Sequence, residues 1–70
     1  MGVELRIQDT TGHSTYSLSL DDAKAAIKER LAQGGWLFSI NRTLQKPKVS
    51  AVEKVSNGDR VQMFRPISGG

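Results

Sequence analysis

Seventy residues supply one domain, and a chain of this size removes only about 60% of its unfolded surface from water, so its core has to be economical. An apolar share of 37% with a charged share of 24% is that of a globular chain and not of a disordered one, and the absence of cysteine excludes a disulfide framework, a thiolate nucleophile and a zinc ribbon. The net charge of +3 comes from ten basic residues spread between Arg6 and Arg65 with acids among them, which is the pattern of a solvated surface and argues against a nucleic-acid-binding block. In chain order, Val3, Leu5 and Ile7 alternate with Glu4, Arg6 and Gln8, the two-residue period of a strand with one buried face. Asp9 to His13 is turn chemistry, after which Tyr16, Leu18 and Leu20 alternate with Ser17 and Ser19. Together these runs predict an antiparallel hairpin.

At Asp21 the period changes. Asp21 or Asp22 is expected to cap a helix, and both suit its positive end. Ala23, Ile27 and Leu31, with Ala26 beside them, form one apolar stripe, while Lys24, Lys28 and Glu29 fall mostly on the wet side. Gly34-Gly35 is expected to end the helix in the left-handed conformation. Trp36, Phe38 and Ile40 then alternate with Leu37 and Ser39 as a third strand. A turn at Asn41-Arg42 leads into a possible short strand, Thr43 to Gln45, which Pro47 limits. Lys48 to Ser56 reads as a compact connection with room for a helical turn. Asn57-Gly58-Asp59 is a turn, and Val61 and Met63 alternate with Gln62 and Phe64 in a last strand that Pro66 closes.

This order predicts an α+β fold in two layers, a mixed sheet of four to five strands covered by one helix. Setting the last strand centrally, parallel to the first, is the usual solution, the ubiquitin-like β-grasp. Residues 1–66 would form the domain and residues 67–70 a flexible C-terminal tail. No apolar run approaches the ~20 residues of a membrane span, and Met1 to Gln8 contain no signal-peptide core, so a cytoplasmic monomer without a membrane or nucleic-acid partner is expected.

Phe38-Ser39-Ile40-Asn41, and the run from Asn57-Gly58-Asp59-Arg60-Val61 to Phe64-Arg65-Pro66-Ile67-Ser68-Gly69-Gly70, resemble the small sulfur-carrier proteins of thiamine and molybdopterin synthesis. Those proteins share a strand ending in Asn, a Gly-Asp-x-Val turn into the last strand and a small-residue tail ending in Gly-Gly. The tail looks closest to the molybdopterin branch, although Arg65 stands where that branch commonly has a first proline. The chain length is nearer the thiamine branch, and Thr43 to Val55 matches neither. Prokaryotic ubiquitin-like modifiers share the same fold and ending.

The resemblance implies that a ubiquitin-activating-like adenylyltransferase uses ATP to adenylate the carboxylate of Gly70. A thiol or persulfide of a sulfur donor then attacks, and an acceptor protein takes the product. Gly69 and Gly70 carry no side chain to obstruct a narrow channel, and Ser68 is small. With Gly70 terminal, no processing protease is expected. No bound cofactor, metal or catalytic side chain is implied for this chain.

Strand alternation sends Phe64 to the outer face, and in a β-grasp sheet Leu37 lies near it. With Arg65, Pro66, Ile67 and Ser68 these form the expected partner-docking surface, although single exposed apolar residues are also ordinary. His13 stands alone in a turn. The phase of Trp36 and Phe38 suits a core better than base stacking, and Asp21-Asp22 is explained by capping. No nucleophile–base pair or metal cluster suggests an enzyme. Three functions are therefore to be separated: a sulfur carrier, a modifier joined through Gly70 to lysines, and a non-covalent module that works through its Phe64 face alone.

Overall fold

The computed structural model describes residues 2–65. In β1 (Val3–Asp9), Val3, Leu5 and Ile7 are buried on one side while Glu4, Arg6 and Gln8 are exposed on the other, as a two-residue period requires. The loop Thr10-Thr11 turns the chain into β2 (Gly12–Leu18), paired antiparallel from Asp9↔Gly12 to Val3↔Leu18. Asp9 holds this loop, since the backbone N–H and the hydroxyl of Thr11 both donate to its carboxylate, at 2.8 and 2.6 Å. Those two bonds, the hydroxyl first, keep the Asp9 carboxyl below its ordinary pKa.

Strand β2 departs from the expected pattern. It ends at Leu18, its residues are exposed except for half-buried Leu18, and Tyr16 keeps 46% of its surface in water. Its alternation is real, but β2 is an edge strand and only Leu18, at its end, packs against the core. Helix α1 (Leu20–Gln33) accordingly starts earlier than Asp21, and its cap is Ser19, whose Oγ accepts from the N–H of Asp22 at 3.2 Å. Asp21 and Asp22 occupy the first turn, where their charge still complements the helix dipole. Ala23 and Ile27 are fully buried, with Ala26 and Leu31 packed beside them. Burying a side chain such as Ile27 contributes about 2–3 kcal/mol.

The helix stops as anticipated at Gly34, but with φ 83° and ψ 154°. This positive-φ, extended conformation differs from the left-handed helical one and is open essentially to glycine alone. Trp36 follows, buried just outside β3 (Leu37–Ile40), in which Phe38 and Ile40 point to the core. Asn41 and Arg42, at φ 49° and 72°, make a tight turn into β4 (Thr43–Gln45). One helical turn, α2 (Val49–Val52), seats Ala51 and Val52 against the core. Gly58, at φ 90°, then turns the chain into β5 (Arg60–Phe64).

The result is an α+β domain with a mixed five-stranded sheet in the order β2-β1-β5-β3-β4 and one main helix. Strand β5 is central, parallel to β1 and antiparallel to β3. Its Val61 and Met63 lie in the core, 1% and 0% exposed, so its outward residues belong to the helix-free face.

Candidate functional site

Both ends of β5 matter for what this chain can present to a partner. At its start, Asn41 clasps the strand. The Asn41 side-chain oxygen accepts from the Arg60 N–H and its amide donates to Asp59 Oδ1, both at 3.0 Å, and the Asn41 N–H donates to the Arg60 carbonyl at 2.8 Å. The other oxygen of Asp59 accepts from the Ser56 N–H at 2.9 Å, which closes the Asn57-Gly58 turn. The asparagine and the Gly-Asp turn that carry the family resemblance thus meet in space and fix the register of β5 against β3.

The other end of β5 is where the described chain stops. Phe64 is paired with Leu37 across the β3 ladder and with Gln8 across the β1 ladder, and all three face away from the helix. Leu37 and Phe64 are both half-buried, so the expected neighbours form a small apolar step at the mouth of the central strand. Arg65 follows, exposed, its N–H donating to the Gln8 carbonyl at 3.3 Å. Pro66, Ile67, Ser68, Gly69 and Gly70 lie outside the described residues.

Arg65 also reaches Trp36. Its guanidinium carbon is 5.9 Å from the Trp36 ring centroid, and that of Arg30, on the last turn of α1, is at the same distance. Cation–π attraction at this range contributes about 0.5–1 kcal/mol. The Trp36 indole N–H donates to Gln33 Oε1 at 3.3 Å, and Arg30 donates to the Ala26 carbonyl at 3.3 Å. Gly35 completes the corner, since a β-carbon placed there would sit 3.5 Å from Arg65 Nε. Trp36 is therefore a core residue, as its phase indicates, but its ring doubles as the platform for the arginine that precedes the tail. Sequence reasoning found Arg65 and missed Arg30 and Gly35. Its one available signal was a tryptophan placed directly after the glycine pair that ends a helix.

His13 lies on exposed β2 opposite Gln8. Lys28 and Lys24 hold Glu53 at 3.1 and 3.6 Å, and the Lys28 bond in particular keeps the Glu53 carboxyl below its ordinary pKa. Among the described residues no cluster of three or more metal-ligating side chains occurs, and no helix is long and apolar enough to cross a membrane. Comparisons of the chain with protein-family models, characterised proteins and solved structures give no match.

Proposed function

We propose that this chain is a β-grasp protein of the sulfur-carrier type, working in the cytoplasm, whose C-terminal glycine is activated by a partner enzyme. The observation that carries the reading is the outlet of β5. The central strand, pinned by Asn41 at one end, delivers the chain at its other end beside the apolar step of Leu37 and Phe64. Five residues follow Arg65 in the sequence, and fully extended they span at most about 17 Å. The strand order, with β1 and β5 parallel at the centre and one helix across them, supports the β-grasp assignment.

The chemistry belongs to the partner. The Gly70 carboxylate attacks the α-phosphorus of ATP and displaces pyrophosphate, giving an acyl-adenylate. A donor persulfide attacks the carbonyl and AMP leaves. A thiol then attacks the donor's sulfur in the resulting acyl disulfide, the S–S bond breaks, the donor leaves as a disulfide with that thiol, and the thiocarboxylate remains on Gly70. This chain contributes an unbranched end and the surface that positions it, and it needs no general base of its own.

The test is intact-mass measurement after incubation with ATP, a competent adenylating enzyme and a persulfide donor. The expected gain is about 16 Da, the exchange of one oxygen for sulfur at the activated carboxylate, and it is lost when Gly70 is deleted. An unchanged mass, with an enzyme shown to act on its own carrier, would overturn the proposal. Attachment to lysines in its place would assign the chain to the protein modifiers.

A further inference from the structure

The cations of this protein are sorted by kind. Its five lysines (Lys24, Lys28, Lys46, Lys48 and Lys54) lie on α1 and around α2, and none lines the depression on the helix-free face of the sheet. Three of its five arginines, Arg6, Arg42 and Arg60, line one shallow depression of about 490 Å³ on that face. Cross-strand register explains the convergence. Thr15, Arg6, Gln62 and Ser39 form one row across β2, β1, β5 and β3, and Glu4 and Arg60 form the next. Arg42 is carried to the rim by the positive-φ turn after β3. Glu4 is the one carboxylate in the lining, and Arg60 Nε already pairs with it at 3.4 Å. Arg6 and Arg42 have no carboxylate within 4.0 Å among the described residues.

We propose that the helix-free face of the sheet docks an acidic segment of a partner protein, with Arg6, Arg42 and Arg60 receiving its carboxylates. The planar guanidinium fork binds carboxylates in a bidentate manner that a lysine does not reproduce, and Ser39, Thr15 and Gln62 add short hydrogen-bonding groups between the forks. No aromatic ring lines the depression to stack a base, so a peptide fits it better than a single-stranded nucleic acid. Phe64 lies two residues beyond Gln62 on the same face, about 7 Å away along the strand. A segment running along β5 thus meets arginines first and the Leu37–Phe64 step last. This names the charge of the partner and rests on the reading that the chain is handed to one, but on no particular bond at Gly70.

The experiment is an amide-shift titration of the full chain at low salt. The probe is a capped octapeptide of four glutamates followed by Leu-Val-Leu-Gly, and the control is the same peptide with glutamines. The glutamate peptide should shift the amides of Arg6, Ser39, Arg60 and Gln62, and the control should bind at least tenfold more weakly. Arg6→Glu combined with Arg42→Glu should weaken binding tenfold or more. Lys46→Glu combined with Lys54→Glu, an equal change in net charge, should leave it within twofold. Equal losses in the two double variants, shifts confined to the lysine side, or tighter binding of an eight-nucleotide oligothymidylate would each overturn the proposal. Deleting Gly69-Gly70 should leave peptide binding intact. A failed sulfur-transfer assay therefore counts against the tail chemistry alone, and a failed titration against this surface alone.

Discussion

The two ends of β5 are held by different physics. At Arg60 the strand is sutured by directional bonds, two from the Asn41 side chain and one from its backbone, with Asp59 tying in the preceding turn. At Phe64 and Arg65 the contacts are one backbone bond to Gln8 at 3.3 Å, an apolar pair with Leu37, and a guanidinium over Trp36 at 5.9 Å. Directional bonds fix register, and a one-residue slip of β5 would turn Val61 and Met63 out of the core. Stacking and apolar contact tolerate displacement. Register is thus secured at the start of β5, and the contacts at its other end can shift without disturbing the core.

The sharpest way to break this contrast is at Asn41. Asn41→Ala removes both side-chain bonds and sets a β-carbon without local hydrogen bonding at φ 49°. Two hydrogen bonds at about 1 kcal/mol net each predict a loss of about 2 kcal/mol. For a domain of this size that lowers Tm by roughly 10 °C. A loss below about 0.5 kcal/mol by thermal or denaturant unfolding would mean that the clasp does not hold the register.

Arg65→Ala tests the soft end. It removes one of two cations from the Trp36 ring and predicts a stability loss of about 0.5–1 kcal/mol, together with a change in tryptophan fluorescence as the ring loses its cover. Lysine at the same position should restore part of the stability, since an ammonium is also attracted to the ring. A loss as large as that of Asn41→Ala would show the two ends to be equally rigid and remove the contrast.

How far the sequence could be read follows the same division. Alternation placed Val3, Leu5 and Ile7, Phe38 and Ile40, and Val61 and Met63 correctly, because each belongs to a strand whose inner face meets the core cluster. It failed at Tyr16, where an equally regular pattern sits on an edge strand that meets the core only at Leu18. Capping chemistry pointed to Asp21 or Asp22, but the helix begins at Leu20 and Ser19 caps it, with both acids in the first turn. At the outlet, the outward face of Phe64 followed from strand alternation, and its nearness to Leu37 from the expected order of the strands. The Trp36 corner did not, because Arg30, Trp36 and Arg65 meet only where a helix end, a strand start and a strand end converge. Asn41 and Asp59 were noticed as motif letters, but 18 residues of separation hid the bond between them.

The smallest expected effect has the opposite sign, and it concerns the same turn as the clasp. Arg42 sits at φ 72° directly after Asn41 at φ 49°, a pair of left-handed residues for which Asn-Gly is the preferred sequence. An arginine there carries about 1–2 kcal/mol of backbone cost. Glycine relieves it but loses more conformational entropy on folding, about 0.5–1 kcal/mol. Arg42→Gly should therefore stabilise the domain by about 0.5 kcal/mol while it weakens the acidic peptide at the sheet face. A strained arginine at a position that suits glycine is consistent with the docking role proposed for Arg42. If Arg42→Gly proves destabilising in unfolding experiments, the arginine has a structural reason to be there, and the turn no longer speaks for the docking surface.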